Sequence, residues 1–340
     1  MAGKMGRLKP FAALIAAIVG IWMAWTATGT GAPTDSRPMG RFFFSGDGRI
    51  SLLSKKNGAT FSGRYRRGSS DYDPKALAAI HRVFGATFDP HHSKLSLRLI
   101  EFLDFVEDHL RPGARLTITS GYRSPQYNKR LRRRGALAAK ASLHQYGMAA
   151  DLEMEGVGAW RIWNYVKSLG FGGTGYYHGD SVHIDVGPTR SWDEKTSGVG
   201  TGLSDDNKLV GLICDYDRYR PSGMITLRFI RMTAFPVGVA RQFQLVRMTR
   251  TGKFIPMATF TPALAISAGT DCACLADMDQ MANISWQLPQ SLPPGRYRVR
   301  ARFCDNPWPK MPLEAITPEF EIVGVGPATR HLPAHDPQTD

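Results

Sequence analysis

The chain has 340 residues, 43% hydrophobic and 21% charged, and a formal net charge of +14. That length suits two domains with cores of their own, and that balance excludes a wholly disordered chain or a protein of many membrane spans. The positive excess calls for an anionic partner.

At the N-terminus, Lys4, Arg7 and Lys9 precede an uncharged apolar run from Phe11 to Trp25, and no charge follows until Asp35. A basic region ahead of an apolar one is the pattern of an export signal. Residues 1–32 are therefore read either as a signal peptide, with small residues at 26–32 for a signal peptidase, or as an N-terminal membrane anchor. The second option follows because the run, extended to Gly29, approaches the roughly 17–25 residues that span a bilayer. Both options place the rest of the chain in the periplasm or cell envelope. Nucleic acid is then not an expected partner, and wall polymer and lipid headgroups are the anions left for the basic clusters Arg64, Arg66, Arg67 and Lys129, Arg130, Arg132, Arg133, Arg134.

Residues 33–40 have linker composition. Residues 41–54 are expected to form a strand or hairpin turning at Gly46-Asp47-Gly48, because Gly and Asp readily take the positive φ of tight turns. Asp73 before Pro74 marks a helix start, with Leu77, Ile80, Val83 and Phe84 at helical spacing. A second helix follows Ser93, with Leu95, Leu99, Phe102, Leu103 and Val106 apolar, and stops at Arg111-Pro112-Gly113. Leu116-Thr117-Ile118-Thr119 reads as a short strand leading into a turn at Ser120-Gly121-Tyr122-Arg123-Ser124-Pro125. A short helix over 160–169 and a strand over 181–186 complete an α+β domain at 41–195, expected to hold a small antiparallel sheet with flanking helices. Residues 196–207 have linker composition.

From Leu209 the pattern changes to short apolar or alternating segments at 209–213, 225–232, 243–246, 284–288, 297–303 and 320–323. Turn signals such as Pro221-Ser222-Gly223 and Pro293-Pro294-Gly295 separate them. This is the pattern of an all-β sandwich, so 208–324 is expected to be an immunoglobulin-like β-sandwich domain. Residues 325–340 read as a flexible tail. The four cysteines, Cys214, Cys272, Cys274 and Cys304, all lie in this second half. An even count in an oxidising compartment suggests disulfides, and Cys214 with Cys304 is the expected bridge.

The chemistry concentrates in Ser142-Leu143-His144-Gln145-Tyr146-Gly147-Met148-Ala149-Ala150-Asp151 and, 32 positions later, His183 within Asp180-Ser181-Val182-His183-Ile184-Asp185. A lone His or Asp is more often a structural hydrogen-bonding group than a ligand. Two imidazoles and a carboxylate in one small Gly-rich region form a donor set for catalytic zinc, which keeps one position for a water whose pKa falls to about 7. Gly147 and the small Ala149 and Ala150 fit a bend that brings His144 and Asp151 together.

These motifs, with Asn128, Gly175-Tyr176-Tyr177, Gly187-Pro188, Arg190 and Trp192 in the same order, resemble the periplasmic murein endopeptidase K group of the LAS-type zinc peptidases. That class also takes in D-alanyl-D-alanine peptidases and the hedgehog-like fold. The resemblance covers residues 42–192, slightly under half the chain. It implies one zinc ion held by His144, Asp151 and His183, with Arg123 stabilising an oxyanion and Ser142 and Tyr177 lining the substrate cleft. It puts the general base three residues before the last ligand, at Asp180. Asp185 is the second candidate, and its other reading is a group that orients His183. His178 stands where the group usually has proline, and is read as an exposed polar residue. The activity implied is metal-assisted hydrolysis of peptide bonds in peptidoglycan stems or cross-links. A non-catalytic zinc-containing wall-binding or scaffold protein of the same fold, and a D-alanyl-D-alanine carboxypeptidase, remain open. The second domain is expected to localise the enzyme or contact an unknown protein partner.

Overall fold

The computed structural model describes residues 40–90, 93–264 and 271–324. The expected export segment and tail lie outside the described residues. Strand β1 (Arg49–Ser54) pairs antiparallel with β2 (Thr60–Arg64). The strand expected over the preceding residues is absent, because Phe42 and Phe44 serve two different cores. Phe42 packs on Tyr216 of the second half at 5.6 Å, and Phe44 packs among Phe102, Phe105 and Phe171. The Arg41 carbonyl accepts the backbone N–H of Asp217 and of Arg218, at 2.9 and 3.0 Å.

A two-strand ribbon, β3 (Arg66–Arg67) with β4 (Asp71–Tyr72), leads into α1 (Pro74–Val83). The helix begins where its sequence signals place it: Asp73 accepts the N–H groups of Lys75 and Ala76 at 2.8 and 3.3 Å. After α2 (Leu97–Leu110), β5 (Arg115–Ser120) lies parallel to β1. The long connection through two helices permits that direction. Helix α3 (Pro125–Arg133) was not expected; Ser124 caps it on the N–H of Tyr127 at 3.2 Å. Then come β6 (Ala149–Met154), α4 (Ala159–Ser168), β7 (Gly173–Tyr176), β8 (Val182–Asp185) and β9 (Arg190–Asp193). The sheet order is β2-β1-β5-β6-β8-β7-β9. It is larger than the expected sheet and mixed, since β7 and β9 also run parallel. At its centre Ser120 sits opposite Asp151, and Asp151 opposite His183.

The second half is built of strands: β10 (Gly211–Cys214), β11 (Arg218–Tyr219), β12 (Met224–Ile230), β13 (Val237–Ala240), β14 (Phe243–Met248), β15 (Phe254–Phe260), β16 (Cys272–Leu275), β17 (Ile284–Gln287), β18 (Gly295–Arg302), β19 (Glu314–Ile316) and β20 (Phe320–Ile322). All six segments expected from the apolar pattern fall on strands. They form a sheet ordered β10-β12-β17, another ordered β11-β20-β18-β14-β15 with β19 beside β18, and a β13-β16 ribbon. Phe229, Phe243, Tyr297 and Phe320 are fully buried among them.

The disulfide joins Cys272 to Cys304, not Cys214 to Cys304. The β13-β16 ribbon lies against the end of β18, where the Cys304 N–H donates to the Gly238 carbonyl at 2.9 Å. Cys214 is buried in the other sheet, its thiol donating to the Tyr216 carbonyl at 3.1 Å. The two halves meet at Arg98 of α2, which is buried and paired with Asp217 at 2.7 Å. The described residues cluster as one unit. Among the described residues no helix is long and apolar enough to cross a membrane.

Candidate active site

At the end of β5 the chain turns through Gly121. A Cβ there would lie 2.4 Å from the Phe84 carbonyl oxygen, which instead accepts the Tyr122 N–H at 2.8 Å. This close approach sets the loop that carries Arg123. The Arg123 guanidinium donates from Nε to Ser120 Oγ at 2.9 Å and from Nη2 to Asp151 Oδ2 at 2.6 Å.

A 3-10 turn, Leu143–Tyr146, then ends on Gly147 at φ +62°. A Cβ at Gly147 would come 1.8 Å from the Lys94 carbonyl oxygen, so only glycine fits both the conformation and the space. This bend sends the chain into β6 and brings His144 and Asp151 to the same point. His144 Nδ1 lies 2.8 Å from the Gly121 carbonyl, which can only accept, so Nδ1 carries the proton. That leaves the lone pair on Nε2, which is 3.4 Å from Asp151 Oδ1.

His183 stands between two carboxylates, with Nδ1 2.9 Å from Asp151 Oδ1 and Nε2 2.9 Å from Asp185 Oδ2. Asp185 is fully buried and further held by Arg190 at 2.6 and 3.0 Å and by the Gly187 N–H at 2.9 Å. Burial alone would raise its pKa, but Arg190 and then His183 hold it well below the usual carboxylate range. It therefore acts as an acceptor, fixing the Nε2 proton of His183 and turning Nδ1 toward Asp151.

The donor atoms of His144, Asp151 and His183 lie within 4.8 Å of one another. Burial pushes His144 down, against the pull of Asp151. The same burial would lower His183, but its contacts with Asp151 and Asp185 raise it. Burial would raise Asp151, yet the two imidazoles hold it well below its usual range. Set between two carboxylates, His183 marks a point where positive charge is favoured. A metal ion bound by His144 Nε2, Asp151 and His183 Nδ1 would supply such charge, and two nitrogens with one carboxylate oxygen are a zinc-type donor set.

The cluster opens into a cavity of about 260 Å³ whose walls include Arg123, Ser142, Tyr177 and Trp192. Tyr177 donates its hydroxyl to Asp151 Oδ1 at 2.9 Å, and burial raises its phenol well above the ordinary value. The Trp192 ring packs 5.4 Å from both Tyr177 and His183. Gly175 makes the space for it, since a Cβ there would come 2.2 Å from the indole.

The structure does not bring Asp180 into this cluster. It sits exposed on the turn between β7 and β8, and among the described residues no hydrogen bond or ion pair ties it to the three ligand candidates. Its charge is felt instead at Lys55. His178 is exposed on the same turn, at φ +58°. Two contributors escaped the sequence reading. Residues 196–204, read as linker, supply Thr196, Ser197, Gly198, Val199, Leu203 and Ser204 to the cavity wall, and Arg231 reaches it from the second half. Both depend on tertiary packing and leave no local signal.

Residues 46–192 match the Peptidase_M15_2 family profile, described as peptidoglycan L,D-endopeptidase MepK. Over 76 residues the chain is 43% identical to peptidoglycan L,D-endopeptidase MepK of Escherichia coli strain K12, covering 22% of this chain and 42% of that protein. Over 80 residues it is 38% identical to the probable peptidoglycan L,D-endopeptidase MepK of Haemophilus influenzae, covering 23% of this chain and 43% of that protein. The chain thus spans less than half the length of these curated relatives. Among solved structures, Pseudomonas fluorescens alkylpurine DNA glycosylase AlkC bound to DNA aligns with a TM-score of 0.22 and 14% identity, over 38% of this chain and 34% of that one. A likeness that weak assigns no fold.

Proposed function

From the resemblance of residues 46–192 to LAS-type zinc peptidases of the MepK group, we propose that this protein is a zinc-dependent endopeptidase that cuts peptidoglycan cross-links. The relatives' L,D specificity is carried over to it as part of the proposal. The observation that supports it best is the convergence of the three donor atoms within 4.8 Å, with each imidazole proton fixed on the far nitrogen by Gly121 or Asp185.

Held by His144, Asp151 and His183, zinc would supply a polarised scissile carbonyl and a water acidic enough to ionise near pH 7. Arg123 stands at the cleft with its planar fork tied to Ser120 and Asp151. From there it would stabilise the oxyanion of the tetrahedral intermediate. Ser142 and Tyr177 would border the bound stem peptide. The resemblance makes Asp180 the base; from the β7–β8 turn, outside the three-ligand cluster, its carboxylate would have to reach the attacking water to take its proton and pass it to the leaving amine. It is an exposed carboxylate three residues before His183 with no hydrogen bond among the described residues. Asp185, with both oxygens committed to His183, Arg190 and Gly187, is better suited to orienting His183. The same reading puts the protein in the cell envelope. It treats the second half as an immunoglobulin-like sandwich, a reading supported by its largely antiparallel sheets around a Phe-rich core.

The test is digestion of purified peptidoglycan with and without chelator and with His144→Ala in parallel, reading fragments by mass. Loss of cross-linked dimers that needs both metal and His144 is the expected result. An intact wall despite bound zinc overturns the proposal.

A further inference from the structure

Three arginines line the candidate cleft: Arg123, Arg190 and Arg231. Two are engaged, Arg123 with Asp151 at 2.6 Å and Arg190 with Asp185 at 2.6 Å. Among the described residues Arg231 forms no ion pair, and its Nε reaches the Ala141 carbonyl only at 3.5 Å, the outer limit of a hydrogen bond. A guanidinium has five N–H donors, so most of the fork is left for something in the cavity.

Arg231 follows β12 in the second half, outside residues 46–192 that match the peptidase family. Its position is held by packing. The backbone takes φ +62°, a conformation costly for a non-glycine residue. The Tyr146 hydroxyl lies against the backbone amides of Arg231 and Met232, and Arg228 places its guanidinium 5.0 Å from the Tyr146 ring centre. Tyr146 belongs to the same 3-10 turn as His144. Burial and the nearby Arg190 bring the Arg231 guanidinium down to about 10, while Asp185 and Tyr146 pull the other way. The strained backbone and this guanidinium, without an ion pair among the described residues, sit at the cleft that carries the ligand candidates.

We propose that Arg231 binds a substrate carboxylate, so that the second half of the chain completes a carboxylate subsite beside the candidate metal centre. This rests on the peptidase reading for the identity of the substrate. A planar fork suits a carboxylate, and stem peptides offer two kinds: the side-chain carboxylate of diaminopimelate and the free C-terminal carboxylate.

The experiment uses the full chain as wild type, Arg231→Gln and Arg231→Lys. The probes are cross-linked muropeptide dimers with all carboxylates free, with the diaminopimelate carboxylates amidated, or with the C-terminal carboxylates amidated. On the free form, Arg231→Gln should raise KM by about tenfold or more with kcat within about twofold, and Arg231→Lys should fall between. Amidating the carboxylate that Arg231 meets should impose the same KM penalty on wild type and abolish the difference between wild type and Arg231→Gln; which amide does so identifies the group. Equal KM for wild type and Arg231→Gln on the free form, or a difference that survives both amidations, overturns the proposal. If wild type cuts no dimer, the peptidase reading fails by itself, and equilibrium binding of the free dimer to the zinc-loaded proteins decides the subsite. Binding about tenfold weaker in Arg231→Gln keeps the subsite, and equal binding rejects it.

Discussion

Among the described residues, two places gather three metal-binding side chains within 4.8 Å: His144, Asp151 and His183, and Asp47, Asp104 and Asp108. They differ in what stands behind the donors. In the first, the Gly121 carbonyl and Asp185 fix the imidazole protons, and the imidazoles hold Asp151 well below the usual carboxylate range. Asp151 is thereby kept ionised, and His144 keeps Nε2 free to face a cation. In the second, burial dominates, pushing Asp104 up to about 8 and raising Asp108 as well. Its carboxyls already serve the fold: Asp104 Oδ2 accepts the Gly48 N–H at 2.9 Å and the Tyr65 hydroxyl at 2.7 Å, and Asp108 accepts the Asp47 N–H at 2.7 Å. Proximity gives a candidate list, and the groups holding each ligand decide which candidate is a metal centre.

The largest effect expected from this contrast belongs to His144→Ala. Wall digestion should fall by roughly 10³-fold or more and bound zinc should drop toward none, while Asp104→Asn should keep both. Zinc loss in Asp104→Asn with retention in His144→Ala would invert the comparison. Arg123→Ala comes next. An oxyanion donor is worth about 10²–10³ in kcat, so turnover should fall by that range with zinc stoichiometry unchanged; a fall in zinc content instead would assign Arg123 to holding Asp151. Smaller still is Asp185→Asn, for which zinc affinity in a competition titration should weaken by about 10–100-fold. An unchanged affinity would show that His183 is oriented without it.

The ligand candidates were legible in the sequence because their geometry is local. His144 and Asp151 are joined by one bend whose glycine can be read directly, and His183 follows from the order of the resembling motifs. What escaped was set by packing at a distance. Strand β6 runs Ala-Ala-Asp-Leu-Glu-Met, weak in β-formers, and becomes a strand because it fills the buried centre of the sheet. Helix α3 was masked by its charges at Lys129 to Arg133, although Ser124 and Pro125 carry a helix-start signal. Phe42 and Phe44 looked like a strand because apolar residues cannot announce that they will be divided between two cores. Cysteine count alone could not pair Cys304 with Cys272, since the pairing depends on the ribbon lying against β18. Arg231 has no motif at all; only the docking of β12 on Tyr146 places it at the cleft.

The smallest expected effect tests the acidic cluster by pH. Asp104 has a pKa near 3.9 in an unfolded chain and about 8 in the fold. The folded state therefore binds the extra proton, so the stability this group contributes is fully present below about pH 4 and is lost as pH rises toward 8. Asp104→Asn keeps a neutral group at every pH. Between pH 5 and pH 8 its melting temperature should decline less than that of the wild type, with about 2–4 °C for each kcal/mol in chains of this size. Glu107, pushed up to about 7 by burial, titrates in both proteins and cancels in the difference. Parallel slopes would mean that Asp104 is ionised in the fold throughout. A calcium-dependent rise in wild-type melting temperature at pH 8 that Asp104→Asn lacks would mean that a cation, not a proton, balances the cluster. In that case the two clusters would both be metal sites, separated by the hardness of their donors and not by the state of their protons.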